Sequence, residues 1–327
     1  MAAPESVYGQ AATGFLLPLY LRKETQIDGR LILDLAEEFM SRLLFPSTRL
    51  KWLWTKRAGE GAKLNIGDFT SARWKAAQKK FLNNEFAVLT LRAQTPDFPN
   101  QEIWFSAHVN PNGGDEILTA GEWKVTCSVP YLRHLAASPE KIEALLQLSR
   151  HAWNSTPGGP AYGYGHLANS LARPRWDIMK PKPADALWPW EFIKPPVERA
   201  HAVPIAYTGD SELHLSGLYV RNAGIKGAFW ANFLSAAHVA LLGGERVLGE
   251  TLSGMRIERL EHGGLLVVAT DSPLPEDTDA TRERFWRLDE ALQPAFISHE
   301  GLRDAFRDML GYFYRERPPV RYTPPYE

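Results

Sequence analysis

One cysteine, Cys127, stands in the whole chain, and that scarcity removes several chemistries at once. No intrachain disulfide, cysteine zinc cluster or CxxC redox pair can form, and the composition suits a reducing compartment. An excess of charge is missing too. The 37 basic and 38 acidic residues leave a formal net charge of -1, which gives no reason to expect nucleic acid or an anionic membrane as a partner. No apolar run reaches the roughly 18 residues of a membrane helix, and Met1-Ala-Ala-Pro-Glu-Ser-Val-Tyr-Gly-Gln lacks the basic start and apolar stretch of a signal peptide. The expected location is the cytoplasm.

Catalytic signatures are equally sparse. Nine histidines form neither HExxH nor a tight pair with an acid on a helix face, and the chain contains no GxSxG elbow to give His262-Gly263-Gly264 the role of an oxyanion loop. That tripeptide reads as a hairpin turn with glycine at positive φ. Gly59-Glu60-Gly61-Ala62-Lys63 lacks the spacing and final Lys-Ser/Thr of a phosphate-binding loop, and Gly243-Gly244 reads as a helix C-cap. The expectation is a protein that is not an enzyme and uses no cofactor or metal.

What the sequence does contain is a core. With 44% hydrophobic and 23% charged residues it has the balance of a globular protein. Residues 14–21 read as a strand. Asp28 caps a helix whose Leu31, Leu35, Phe39 and Leu43 recur every four positions, and Pro46 closes it. Residues 50–55 alternate with Trp52 and Trp54 on one face, 69–82 form a basic amphipathic helix, 86–92 and 103–109 pair as strands, and 123–129 add a fourth. Ser138-Pro139-Glu140 opens another helix. Further on, regular structure resumes at 213–220, and 228–242 reads as a helix, 255–270 as a hairpin, and 281–292 and 302–314 as helices. Several strands follow one another through loops too short for helical crossovers. The class is therefore α+β, a mixed and largely antiparallel sheet flanked by amphipathic helices. The organisation is a flexible N-terminus at 1–13, a lobe at 14–171, a connecting arm at 172–204 and a second lobe at 205–327, the lobes packed as one unit. The arm carries seven prolines with Trp176, Trp188, Trp190 and Phe192, too much aromatic surface to leave in water.

Three groups of side chains offer a surface for recognition. Glu276 and Asp277 lie on a Pro-containing loop ahead of a helix that Asp279 is placed to cap, Asp115 and Glu116 follow Asn112-Gly113-Gly114, and Trp188 and Trp190 mark the arm. The helix bearing Arg73, Lys75, Lys79 and Lys80 around Trp74 has the residues for phosphate contact, but solvated charge over a buried Trp is the preferred reading. Tyr162-Gly163-Tyr164-Gly165-His166 brings glycines and aromatics together, and a Gly-rich strand under aromatic rings is the simpler account.

The stretch 224–270 resembles the C-terminal half of the type VI secretion immunity family: Phe229-Trp230 early in the helix, Leu241-Leu242-Gly243-Gly244 at its end, and a hairpin finishing in Leu265-Leu266-Val267-Val268-Ala269-Thr270-Asp271. The Tyr162-Gly163-Tyr164-Gly165 stretch is a supporting match. After the hairpin, Ser272-Pro273-Leu274-Pro275 replaces the Gly-containing segment of familiar members. The resemblance implies a protein that binds and silences a cognate effector toxin, often a nuclease of the VRR class, by occluding its active site. No nucleic acid or membrane is implied as a partner. In that setting Glu276, Asp277, Asp115 and Glu116 would imitate phosphate toward a basic nuclease cleft, with Trp188 and Trp190 as a second contact. Two other readings stand beside it: a hydrolase whose histidine and carboxylates meet only in the fold, and a non-catalytic scaffold of the secretion apparatus.

Overall fold

The computed structural model describes residues 14–22, 25–57, 64–108, 121–168, 224–225, 228–275 and 278–296. Their framework is one ten-stranded sheet. In chain order the strands are β1 (Gly14–Tyr20), β2 (Arg49–Arg57), β3 (Leu64–Asp68), β4 (Phe86–Thr95), β5 (Phe98–His108), β6 (Glu122–Ser128), β7 (Tyr162–Ala168), β8 (Ala231–Leu234), β9 (Arg256–Arg259) and β10 (Leu265–Val268). They lie side by side as β3-β2-β4-β5-β6-β1-β7-β8-β10-β9, each neighbouring pair antiparallel. The class is α+β.

Period-two alternation gives this sheet two different faces. On one, Phe15, Leu17, Leu19, Leu53, Leu91, Phe105 and Val125 are buried in a core continued by Phe233 and Leu266. Four helices cover it: α1 (Gly29–Arg42), α2 (Ser71–Leu82), α3 (Val129–Ala136) and α4 (Pro139–Ser155). α1 starts where Asp28 accepts from the Arg30 N–H at 2.9 Å, and Ile32, Leu35, Ala36 and Phe39 form its buried stripe. α2 is capped by Thr70, with Ala77 and Phe81 facing inward. On the opposite face, Tyr20, Tyr162, Tyr164, Leu234, Leu265 and Val267 pack under α5 (Ala236–Leu241), α6 (Gly244–Thr251) and α7 (Asp279–Leu292) through Phe229, Leu248, Leu288 and Leu292. The helices therefore change sides along the sheet. Those of the C-terminal part cover the opposite face over β7, β8 and β10, and among the described residues no helix covers that face over β2, β4 and β5.

Strand β7 sits at the change of side and explains its own composition. Its tyrosines face α5–α7, while a Cβ at Gly163 would come 2.3 Å from Leu19 and one at Gly165 3.1 Å from Trp230. The glycines make room for large neighbours, so the strand is packed under aromatic rings, as the simpler account of its sequence expects.

The predicted helix at 228–242 is overturned. Phe229 and Trp230 precede a strand, β8, which is held between β7 and β10, and only Ala236–Leu241 is helical. Burial on both sheet faces outweighs the alanine-rich helix propensity of the segment. Both aromatics are nonetheless core residues, at 0% and 2% exposure. Gly243 follows α5 in the left-handed conformation (φ 85°), and the β9–β10 hairpin turns at His262 (φ 59°) and Gly263 (φ 71°). Asp279 is not the cap of α7. Thr278 holds that place, accepting from Thr281 at 3.2 Å, and Asp279 is the first helical residue, 3.5 Å from Arg282. The proposed elements at 213–220 and 302–314 lie outside the described residues, as does the arm.

Candidate functional site

Glu276, Asp277, Asp115, Glu116, Trp188 and Trp190 all lie outside the described residues, as does the side chain of His166. Within the described part, a different constellation occupies the sheet face that no described helix covers. Antiparallel register sets Trp52 opposite Arg92 and Arg92 opposite Trp104, so three adjacent strands place Trp, Arg and Trp in one row. The Arg92 guanidinium carbon is 4.0 Å from the Trp52 ring centroid and 4.6 Å from that of Trp104. This is cation–π stacking on two rings. Glu102, one strand over, accepts from Arg92 Nε at 2.7 Å and again from its terminal nitrogen, which neutralises the guanidinium and fixes its plane. Trp54 meets Trp104 edge to face, 5.1 Å apart at 89°.

Beyond this row the face turns polar. Thr90 and Ser106 hydroxyls share a hydrogen bond of 3.1 Å, and Lys124 lies 4.0 Å from Glu122, which is 2% exposed. His108 stands opposite Glu122 and Val88. Burial holds the His108 imidazole below its ordinary pKa; Glu122 opposes this, while Lys124 and Lys56 add to it. Among the described residues, four buried polar atoms on this face have no hydrogen-bond partner: the indole nitrogens of Trp54 and Trp104, Gln94 Oε1 and Glu122 Oε2. Unmade hydrogen bonds at burial cost free energy, so this face carries a concentrated energetic cost.

Histidines meet polar partners at two described places. His238 Nδ1 lies 3.1 Å from Ser235 Oγ and 3.3 Å from the Ser235 backbone nitrogen, an N-terminal capping box for α5, with both residues under 5% exposed. His151 Nδ1 lies 2.6 Å from Glu38 on the open flank of α1 and α4, with Arg42 3.3 Å from the same carboxylate. A void of about 10 Å³ beneath α4 is walled by Leu17, Leu19, Phe105, Leu148 and Ala152, room for no more than one water. Among the described residues no group of three or more His, Cys, Asp or Glu is placed to hold a metal ion. No helix there is long and apolar enough to cross a membrane.

Neither a protein-family model nor a curated protein matches the chain. Among solved structures, a T6SS protein of Pseudomonas aeruginosa is similar, at 14% identity and a TM-score of 0.49, over 94% of this chain and 88% of that one. Likeness at that level assigns neither fold nor function.

The sequence pointed to Trp52 and Trp54 sharing a face, but not to their partners. Arg92 and Trp104 were missed because the row is built across strands, from pairs 40 (Trp52–Arg92) and 12 (Arg92–Trp104) positions apart in sequence. The visible signal was period-two alternation of Trp, Arg and Trp in three successive predicted strands.

Proposed function

We propose that this chain is an immunity-type binding protein that silences a cognate type VI effector toxin by docking on it, without chemistry of its own. The observation that supports the reading is the Trp52–Arg92–Trp104 row with Trp54 beside it. Tryptophan and arginine are the residue types that dominate binding energy at protein interfaces, and here they are rigidly held, so little side-chain entropy is lost on docking. The 224–270 resemblance supplies the class of partner. The toxin as a nuclease, with Glu276, Asp277, Asp115 and Glu116 imitating phosphate and Trp188 and Trp190 as auxiliary contacts, belongs to the same proposal.

Co-expression with the product of the adjacent coding sequence tests it. The expected outcome is a stable complex on co-purification and survival of cells that the neighbouring product alone would kill. No association at micromolar concentrations would end the immunity reading. For the acidic loop, exchanging Glu276 and Asp277 for lysine is expected to slow association at low salt and leave the melting temperature unchanged.

A further inference from the structure

Strand β3 ends the sheet beside the aromatic row. Among the described residues it pairs with β2 on one side and with no strand on the other. Such an edge is a template for main-chain pairing with another extended segment. The side chains flanking it define which segment fits. Ile66 lies opposite Trp54 on the helix-free face and is 55% exposed, which leaves an apolar side chain open beside the aromatic row. On the other face the Arg73 guanidinium lies over Gly67, where a Cβ would come within 1.6 Å of it, and donates to the Asp68 carbonyl at 3.1 Å and to Asn65 Oδ1 at 3.2 Å. Arg73 therefore draws α2 against this edge.

Charge at that corner is predominantly positive. β2 contributes four cations, Arg49, Lys51, Lys56 and Arg57, and α2 four more, while the only acid in β2, β3 and α2 is Asp68. A chain whose total is -1 thus concentrates positive charge at one sheet edge. The geometry points to β3 as the docking edge for an extended segment of the partner protein in which apolar and acidic residues alternate: apolar side chains against Ile66 and Trp54, acidic ones toward α2. The assignment rests on the binding reading above and specifies its chemistry. A second copy of this chain fits poorly, because pairing β3 with β3 would bring two like-charged corners together. Nucleic acid fits poorly as well. It has no backbone to continue the ladder, and the Trp52 ring is already engaged by Arg92 and by Lys51, whose Nζ is 4.7 Å from its centroid.

The test uses the full chain and a fluorescent peptide of four Glu-Val repeats, read by anisotropy at low and high salt. Expected are saturable, salt-weakened binding, at least ten-fold weaker binding of a Lys-Val peptide, and a similar loss when alternate amide nitrogens of the Glu-Val peptide are methylated. Ile66→Ser and Lys75→Glu, both at exposed positions, are each expected to weaken it at least five-fold with the melting temperature unchanged. Equal binding of the methylated peptide overturns strand addition. Tighter binding of an oligo-dT of equal charge at the same site, or a dimer abolished by Ile66→Ser, replaces the partner with nucleic acid or a second copy. If the peptide fails while the neighbouring gene product still binds, only the edge assignment falls; if both fail, the binding reading falls with it.

Discussion

Trp230 stands edge-on to Phe15, ring centroids 5.8 Å apart at 65°, and its indole nitrogen donates to the Thr270 carbonyl oxygen at 2.7 Å. The contact ties β1 to the segment leading into β8 and to the residue just beyond β10. Trp230→Ala is expected to cost about 3 to 5 kcal/mol through lost transfer energy and the cavity left behind. Urea denaturation checks it, and a loss under about 1 kcal/mol would show that the site collapses around the void.

The unpaired indole donors of Trp54 and Trp104 give a test that separates folding from binding. Replacing either by Phe removes a buried N–H without an acceptor, which offsets part of the lost ring contact, so stability is expected to move by no more than about 1 kcal/mol. Partner affinity is expected to fall. If stability drops by several kcal/mol and affinity does not, the two rings belong to the internal architecture alone.

Acid is expected to erode stability over two pH windows. His108 has a folded pKa held below the ordinary imidazole value of about 6.5 by burial, so the unfolded chain binds its proton first; its contribution is complete above about 6.5 and is lost as pH falls below. Glu143 has its pKa lowered chiefly by the hydrogen bond from Arg256, 2.6 Å away, and that contribution is present above about 4.5 and lost as pH falls through the folded value. Arg256 and Arg150 alternate with Glu143 and Glu258 to fasten edge strand β9 to α4. Melting temperature against pH is therefore expected to lose its upper step in His108→Asn and its lower step in Glu143→Gln.

Cys127 is fully buried, and desolvation pushes its thiol pKa well up. In native protein it is expected to resist iodoacetamide at pH 8 and to react within minutes in denaturant. Rapid labelling of the native form would reveal frequent opening of the β5–β6–β1 core.

The periodic elements were legible in the sequence for physical reasons. α1 carries an apolar residue every three or four positions behind an Asp cap, and β4 and β5 alternate about a turn-rich link, so their local pattern and tertiary burial agree. β3 was missed because Leu-Asn-Ile-Gly-Asp has little strand propensity and half its surface remains open. α3 was missed because it begins at the residue after β6, with Val129-Pro130 as its first turn, leaving no loop to mark the change. β8 reads as helix locally and becomes a strand through pairing on both edges, which no local window registers. The aromatic–arginine row was hidden for a related reason: cation–π stacking depends on cross-strand register, and register is settled by the whole sheet.

The Arg92 row is proposed as the interface with a partner protein. Replacing Arg92 by Met together with Glu102 by Gln removes both charges at once, so no buried ion is left unpaired and the melting temperature is expected to stay within a few degrees. Calorimetry of this double variant against the neighbouring gene product is the most direct test. The account predicts that affinity falls by about 30-fold or more, the size of a hot-spot loss. Undiminished affinity in a normally folded double variant would contradict it.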